Sequence, residues 1–185
     1  MGELSCFKSY DVRGRLGDDL DAGIAYRIGR GFAQALRPGL AVTGRDVRES
    51  SPELQGALIE GLRDGGADVI DIGLCGTEEV YFATDHYGAG GGLMVTASHN
   101  PIDYNGMKLV GPGSTPLSAD AGLGAVQRAA EAGDWEAPAA RGTLRQEDPR
   151  PAFVARCLSF VDAGALRPLK VLVNAGNGAA GPTFD

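Results

Sequence analysis

Short apolar runs alternate along this chain with longer stretches whose apolar residues return at helical spacing. That alternation confines the fold to helices layered on a largely parallel sheet. The first stripe is Ile24, Ile28, Phe32 and Leu36, inside residues 21–37, and Pro38-Gly39 stops it. Residues 40–43 then read as a strand. Ser50 and Glu53 stand in capping-box spacing before a second helix, with Leu54, Leu58, Ile59 and Leu62 on its buried side and Gly65-Gly66 at its end. Residues 67–72 form the next strand. Thr77 is placed to cap a helix over 78–87, where Glu78 and Glu79 suit the first turn. Strands follow at 91–96 and 107–110, and Ser118 opens a helix reaching Ala132. The expectation is an α/β domain over residues 1–132, a mixed, largely parallel four-stranded sheet covered by helices, with residues 7–17 as extended chain or loop.

Residues 133–149 are rich in Ala, Pro and charge and read as a linker. Beyond it, 151–161 is helical and 169–174 is a strand, followed by a glycine turn at 176–181. A strand and turn with no helix after them cannot complete a βαβ unit of about 30 residues. Residues 150–185 are therefore expected to be the truncated start of a second α/β domain, and the chain a piece of a longer protein.

Charge and cysteine usage narrow the function. The 185 residues carry 17 Lys and Arg against 24 Asp and Glu, a net charge of −7, which argues against nucleic acid or an anionic membrane as partner. An anionic small molecule stays open, because a few local Arg and Lys can dominate a cleft. Cys6, Cys75 and Cys157 lie far apart, with no C-x-x-C, so no disulfide framework is expected and the compartment reads as reducing and cytoplasmic. With His86 and His99 as the two histidines, the chain offers a poor zinc set. No apolar run approaches the length of a membrane span, and no secretory signal opens the chain. Glycine, 29 of 185 residues, has no collagen period and reads as turns and close backbone approaches.

The densest chemistry lies in Thr96-Ala97-Ser98-His99-Asn100-Pro101, followed by Tyr104-Asn105-Gly106-Met107-Lys108. It falls where a strand gives way to a polar loop, the usual place for functional groups in α/β folds. A serine needs a base or cation to become a useful nucleophile. His99 is a poor base for Ser98, because neighbours in extended chain point to opposite faces. Lys108 is better placed, as a proton carrier or as a charge on a phosphoryl group. From the residues alone, a Ser/Asn/Pro turn that merely joins two strands is the commoner reading.

The hexapeptide resembles the active-site loop of the α-D-phosphohexomutases, the phosphomannomutase/phosphoglucomutase family. Tyr10-Asp11-Val12-Arg13-Gly14 resembles that family's N-terminal motif, and Gly44-Arg45-Asp46-Val47-Arg48 with Ser51-Pro52-Glu53-Leu54 resembles its next one. Tyr104 to Lys108 resembles its Y-N-G-x-K, and Asn174 to Gly181 the opening of its second domain. The resemblance implies a phosphoryl-carrying serine at Ser98, an acid/base lysine at Lys108, catalytic-loop residues at His99 and Asn100, and substrate contacts at Tyr10 and Arg13. It implies hexose mono- and bisphosphate substrates, with a phosphoryl group moving between C1 and C6. The wording sits nearer the mannose and glucose phosphate branch than the glucosamine phosphate branch. It also implies Mg²⁺ in the parent protein, held partly by the phosphoserine at Ser98. The D-x-D-x-D cluster that supplies the other ligands is absent from this chain, which is therefore expected to be inactive alone. The segment 73–79 also lacks the Pro-Thr-Pro often found there.

Other readings stand beside this one. Tyr10 and Arg13 can simply pin the N-terminal strand, and Arg45, Asp46 and Arg48 fit an ion-pair network holding a loop better than a substrate contact. Gly176-Asn177-Gly178-Ala179-Ala180-Gly181 has dinucleotide-binding spacing after a strand, but the acidic partner about 20 residues later is not in this chain. Phosphoglucosamine mutase chemistry and a non-catalytic α/β binding domain remain the alternatives. The unpaired tail is expected to dimerise, swap or disorder.

Overall fold

The computed structural model describes residues 2–184. In chain order it holds β1 (Val12–Arg15), α1 (Ala22–Leu36), β2 (Leu40–Arg45), α2 (Ser51–Asp64), β3 (Asp68–Leu74), α3 (Thr77–His86), β4 (Gly91–Val95), β5 (Tyr104–Val110), α4 (Leu123–Ala132), β6 (Leu144–Gln146), α5 (Arg150–Leu158) and α6 (Gly181–Phe184). Six strands form one mixed sheet in the order β1-β5-β4-β2-β3-β6. β2 runs parallel to β3 and β4, β3 parallel to β6, and β5 antiparallel to both β4 and β1.

Period-two alternation sends neighbouring residues of each central strand to opposite layers. Ala41, Val69, Leu93 and Met107 face α1, α2 and α4, packing with Ile28, Phe32, Leu58, Leu62 and Val126. Val42, Ile70 and Met94 face α3, packing with Val80 and Ala83. The α1–α2 contact needs two glycines. A Cβ on Gly29 would meet the Leu58 carbonyl oxygen, and one on Gly61 would meet that of Tyr26, so the two backbones touch where any side chain would part them.

The central strands and main helices lie where the sequence places them. The sheet, however, has six strands, not four. The two extra ones are edges: β1 carries one fully buried apolar side chain, Val12, and all three residues of β6 are exposed. Neither gives the apolar run that marks a central strand. β6 falls inside the expected linker, which also packs Trp135 against Tyr26 and Arg30. The expected strand at 169–174 is absent. Its alternating Val171 and Val173 have no neighbouring strand to bond, and Leu172 is 95% exposed.

Several helix ends also differ. Asp21 caps α1 by accepting from the Ile24 N–H at 2.7 Å. The capping box at Ser50 does not form, because that hydroxyl accepts from Asn105 Nδ2 at 2.8 Å. Gly76 rather than Thr77 is the N-cap of α3, with Glu79 accepting from its N–H at 2.6 Å. α4 starts at Leu123, because residues 118–122 are taken up by a turn whose last residue, Gly122, has φ +98°. No helix is long and apolar enough to cross a membrane among the described residues.

Candidate active site

The sheet reverses direction between β4 and β5, and the connecting loop, residues 96–103, carries the hydroxyl of Ser98 into solvent. Ser98 has φ +53°, a left-handed conformation that a residue with a Cβ keeps only when its surroundings fix it. On one side the Ser98 N–H donates to Thr96 Oγ1 at 2.9 Å, and the Thr96 hydroxyl donates to Asp46 Oδ2 at 2.7 Å. Asp46 Oδ1 accepts from the Ser51 hydroxyl at 2.6 Å and from the Arg48 N–H at 3.0 Å. On the other side the Arg48 guanidinium reaches into the loop and bonds carbonyl oxygens of the loop and of Tyr104, the first residue of β5.

The left-handed turn overturns one sequence inference. His99 does not point away from Ser98: its Nδ1 lies 3.3 Å from the Ser98 hydroxyl, because the chain here is folded rather than extended. Both side chains are exposed, and the contact is at the long end of hydrogen bonding. Asn100 is half-buried, and its side-chain oxygen has no hydrogen-bond partner among the described residues. Ser98 and Asn100 line a cleft of about 730 Å³, with Asp46, Arg48 and Thr96 behind them and the glycine turn 176–179 opposite.

Lys108 and Arg13 form a second group. They sit on β5 and β1, offset by two residues across the antiparallel pair (Arg13 opposite Gly106), and therefore project from the same sheet face. Asp11 stands between them, its Oδ2 2.9 Å from Arg13 Nη2 and 4.0 Å from Lys108 Nζ. No hydrogen bond or ion pair joins Lys108 to Ser98 among the described residues. Tyr10 is 77% exposed and makes no hydrogen bond among them.

Sequence reasoning did not single out Asp11 or Thr96. Asp11 had a signal: two residues before Arg13 in extended chain, it shares that residue's side. Of the expected loop-holding network, Asp46 and Arg48 do hold a loop, while Arg45 makes no ion pair among the described residues. No group of three or more His, Cys, Asp or Glu side chains is placed to hold a metal among those residues. A phosphoryl group on Ser98 would add oxygen donors from one residue only, so the residues present do not by themselves make a Mg²⁺ site.

Comparison with known proteins bears on this geometry. The family described as phosphoglucomutase/phosphomannomutase, alpha/beta/alpha domain I, matches residues 5–135. A phosphomannomutase of Salmonella typhimurium is 55% identical over 187 aligned residues, covering 100% of this chain and 41% of the relative. A phosphomannomutase of Escherichia coli K12 is 52% identical with the same coverage. A solved phosphoglucomutase/phosphomannomutase family protein from Burkholderia thailandensis superposes with a TM-score of 0.87 at 37% identity, over 99% of this chain and 41% of that one. The chain thus spans about two fifths of the length of these relatives.

Proposed function

Since the chain belongs to the phosphoglucomutase/phosphomannomutase family, we propose that it supplies the phosphoryl-carrying part of a phosphohexomutase, with Ser98 as the carrier. The observation that carries this reading is the exposed Ser98 hydroxyl, held on left-handed backbone at the C-terminal end of β4 by Thr96, Asp46 and Arg48. The substrates are hexose monophosphates, with mannose and glucose phosphates favoured by the names of the relatives.

In the first half-reaction a sugar hydroxyl attacks phosphorus on phosphoserine. The new O–P bond forms as the Ser98 Oγ–P bond breaks, and the sugar's proton passes to a base, a role we give to Lys108. In the second, Ser98 Oγ takes the phosphoryl group from the other end of the bisphosphate, and the proton returns to the departing sugar oxygen. Positioning and positive charge do most of the work in such transfers. Arg13 supplies that charge, and Asp11 holds it at one spacing from Lys108. His99 and Asn100 line the catalytic loop, and Tyr10 offers an exposed ring for the sugar.

On this reading the first domain runs through β6, which joins its sheet, and residues 150–184 open the second. The free cysteines, two of them buried, fit a reducing cytoplasmic compartment. The test is incubation of the full-length protein with a hexose 1,6-bisphosphate, followed by intact mass and phosphopeptide mapping. One phosphoryl group on Ser98, absent from Ser98→Ala, is expected. Phosphate on Ser118 or Ser159 with Ser98 bare would overturn the assignment.

A further inference from the structure

One guanidinium gathers three carbonyl oxygens of the serine loop and that of Tyr104 beside it. Arg48 Nη1 donates to Pro101 O at 2.8 Å and Tyr104 O at 3.0 Å. Nη2 donates to Asn100 O at 2.5 Å and Ser98 O at 3.2 Å. Nε faces Asp46 Oδ2 at 3.7 Å, and the side chain is 11% exposed. A guanidinium has five N–H donors in a fixed plane; here the four on Nη1 and Nη2 are taken by this chain's own carbonyl oxygens, and Nε lies at ion-pair distance from Asp46. Arg13 differs: among the described residues its one carboxylate partner is Asp11, and it keeps donors for an incoming anion.

We propose that Arg48 is a positioning residue for Ser98, a splint that fixes the loop's left-handed backbone, and not a cation that binds the substrate's phosphate. This rests on the function proposed above. Carbonyls at 98, 100, 101 and 104 converge on one planar group, so the peptide units of the loop are fixed relative to one another. Asp46 joins the two halves of the device. It faces Arg48 through Oδ2 and, through Thr96, holds the Ser98 N–H. The Ser98 residue is therefore gripped by its N–H and its carbonyl together, leaving only the hydroxyl free to move. Lysine cannot replace Arg48 here, because a point charge with three donors does not span four carbonyls spread around a plane.

The test uses the 185-residue chain with Arg48→Lys and Arg48→Ala. Amide hydrogen exchange should quicken at least about tenfold over residues 97–105 in both variants, with α1 and α2 unchanged. Guanidinium ion at sub-denaturing concentration should restore protection to Arg48→Ala and leave Arg48→Lys as it was. With the same substitutions in the full-length protein, phosphorylation of Ser98 by a hexose 1,6-bisphosphate should lose at least about tenfold in maximal rate, with the half-saturating concentration unmoved. Wild-type protection of the loop in Arg48→Lys would overturn the proposal. So would a raised half-saturating concentration at unchanged maximal rate, which would make Arg48 a substrate ligand. Loss of protection in α1 and α2 of both variants would also overturn it, since Arg48 would then hold the whole domain rather than the loop. If the wild-type full-length protein takes up no phosphoryl group, the proposed function fails, and hydrogen exchange still decides the role of Arg48.

Discussion

Two regions of this chain carry much the same aliphatic residues and meet opposite ends. In the sheet and its helices, Val42, Leu58, Ile70 and Leu93 are wholly buried. From α5 onward, Leu158, Leu169, Val171 and Leu172 are between 57% and 95% exposed. Hydrophobicity is equal in both; what differs is whether a second layer exists to receive it. An amphipathic pattern specifies a face, and only a facing element turns that face into stability.

Thiol reactivity should separate the two regions most widely. Cys6 and Cys75 are buried, and Cys157 is exposed on α5. Burial pushes the Cys6 thiol up to about 11 and the Cys75 thiol to about 12, so neither offers thiolate at neutral pH. Cys157 should be alkylated more than about a thousandfold faster than either, the protection that an opening free energy near 5 kcal/mol provides. Comparable rates at all three would mean that the sheet domain opens as readily as the tail.

Next in size, Leu58→Ala should cost about 3 kcal/mol in urea unfolding, the usual range for emptying a fully buried leucine site. A separate loss belongs to the alkaline limb. Both buried thiols have folded-state values above their ordinary ones, so their contribution is fully present below pH 9. It is lost as pH rises through about 11 for Cys6 and about 12 for Cys75. The urea midpoint should fall across that window, and Cys75→Ala should flatten the fall. The smallest effect is in the tail, where Leu172→Ser should change stability by no more than about 0.5 kcal/mol. A loss matching that of Leu58→Ala would show that the tail has found a covering surface, and sedimentation would show whether that surface is a second copy.

The same contrast explains what the sequence made legible. β2, β3 and β4 and the helices beside them announce themselves, because both the apolar pattern and its partner layers lie within residues 21–132. β1 and β6 do not: edge strands are fixed by backbone pairing, which leaves little mark on side-chain type. The alternation at 169–174 reads as a strand and is not one, because a strand needs a neighbour that no local pattern supplies. At the site, Ser98 and Lys108 stand out as chemistry, and Asp46 with Arg48 as a loop-holding pair. That the loop they hold lies some 50 residues away depends on β2 pairing with β4, which no local spacing encodes. The contact between Ser98 and His99 was hidden by a backbone conformation that serine rarely adopts.

The reversal of direction between β4 and β5 has a consequence for the order in which this protein assembles. Parallel pairing of β2 with β3 and β4 must wait for intervening helices to be brought round, whereas β4 and β5 are joined by eight residues and can zip from the loop outward. Contacts of short sequence separation close with little loss of chain entropy and are favoured early in folding. The serine loop thus belongs to the most local, kinetically accessible part of the sheet, so its two anchoring strands should be in register before the longer-range partners Asp46 and Arg48 arrive to set its final shape.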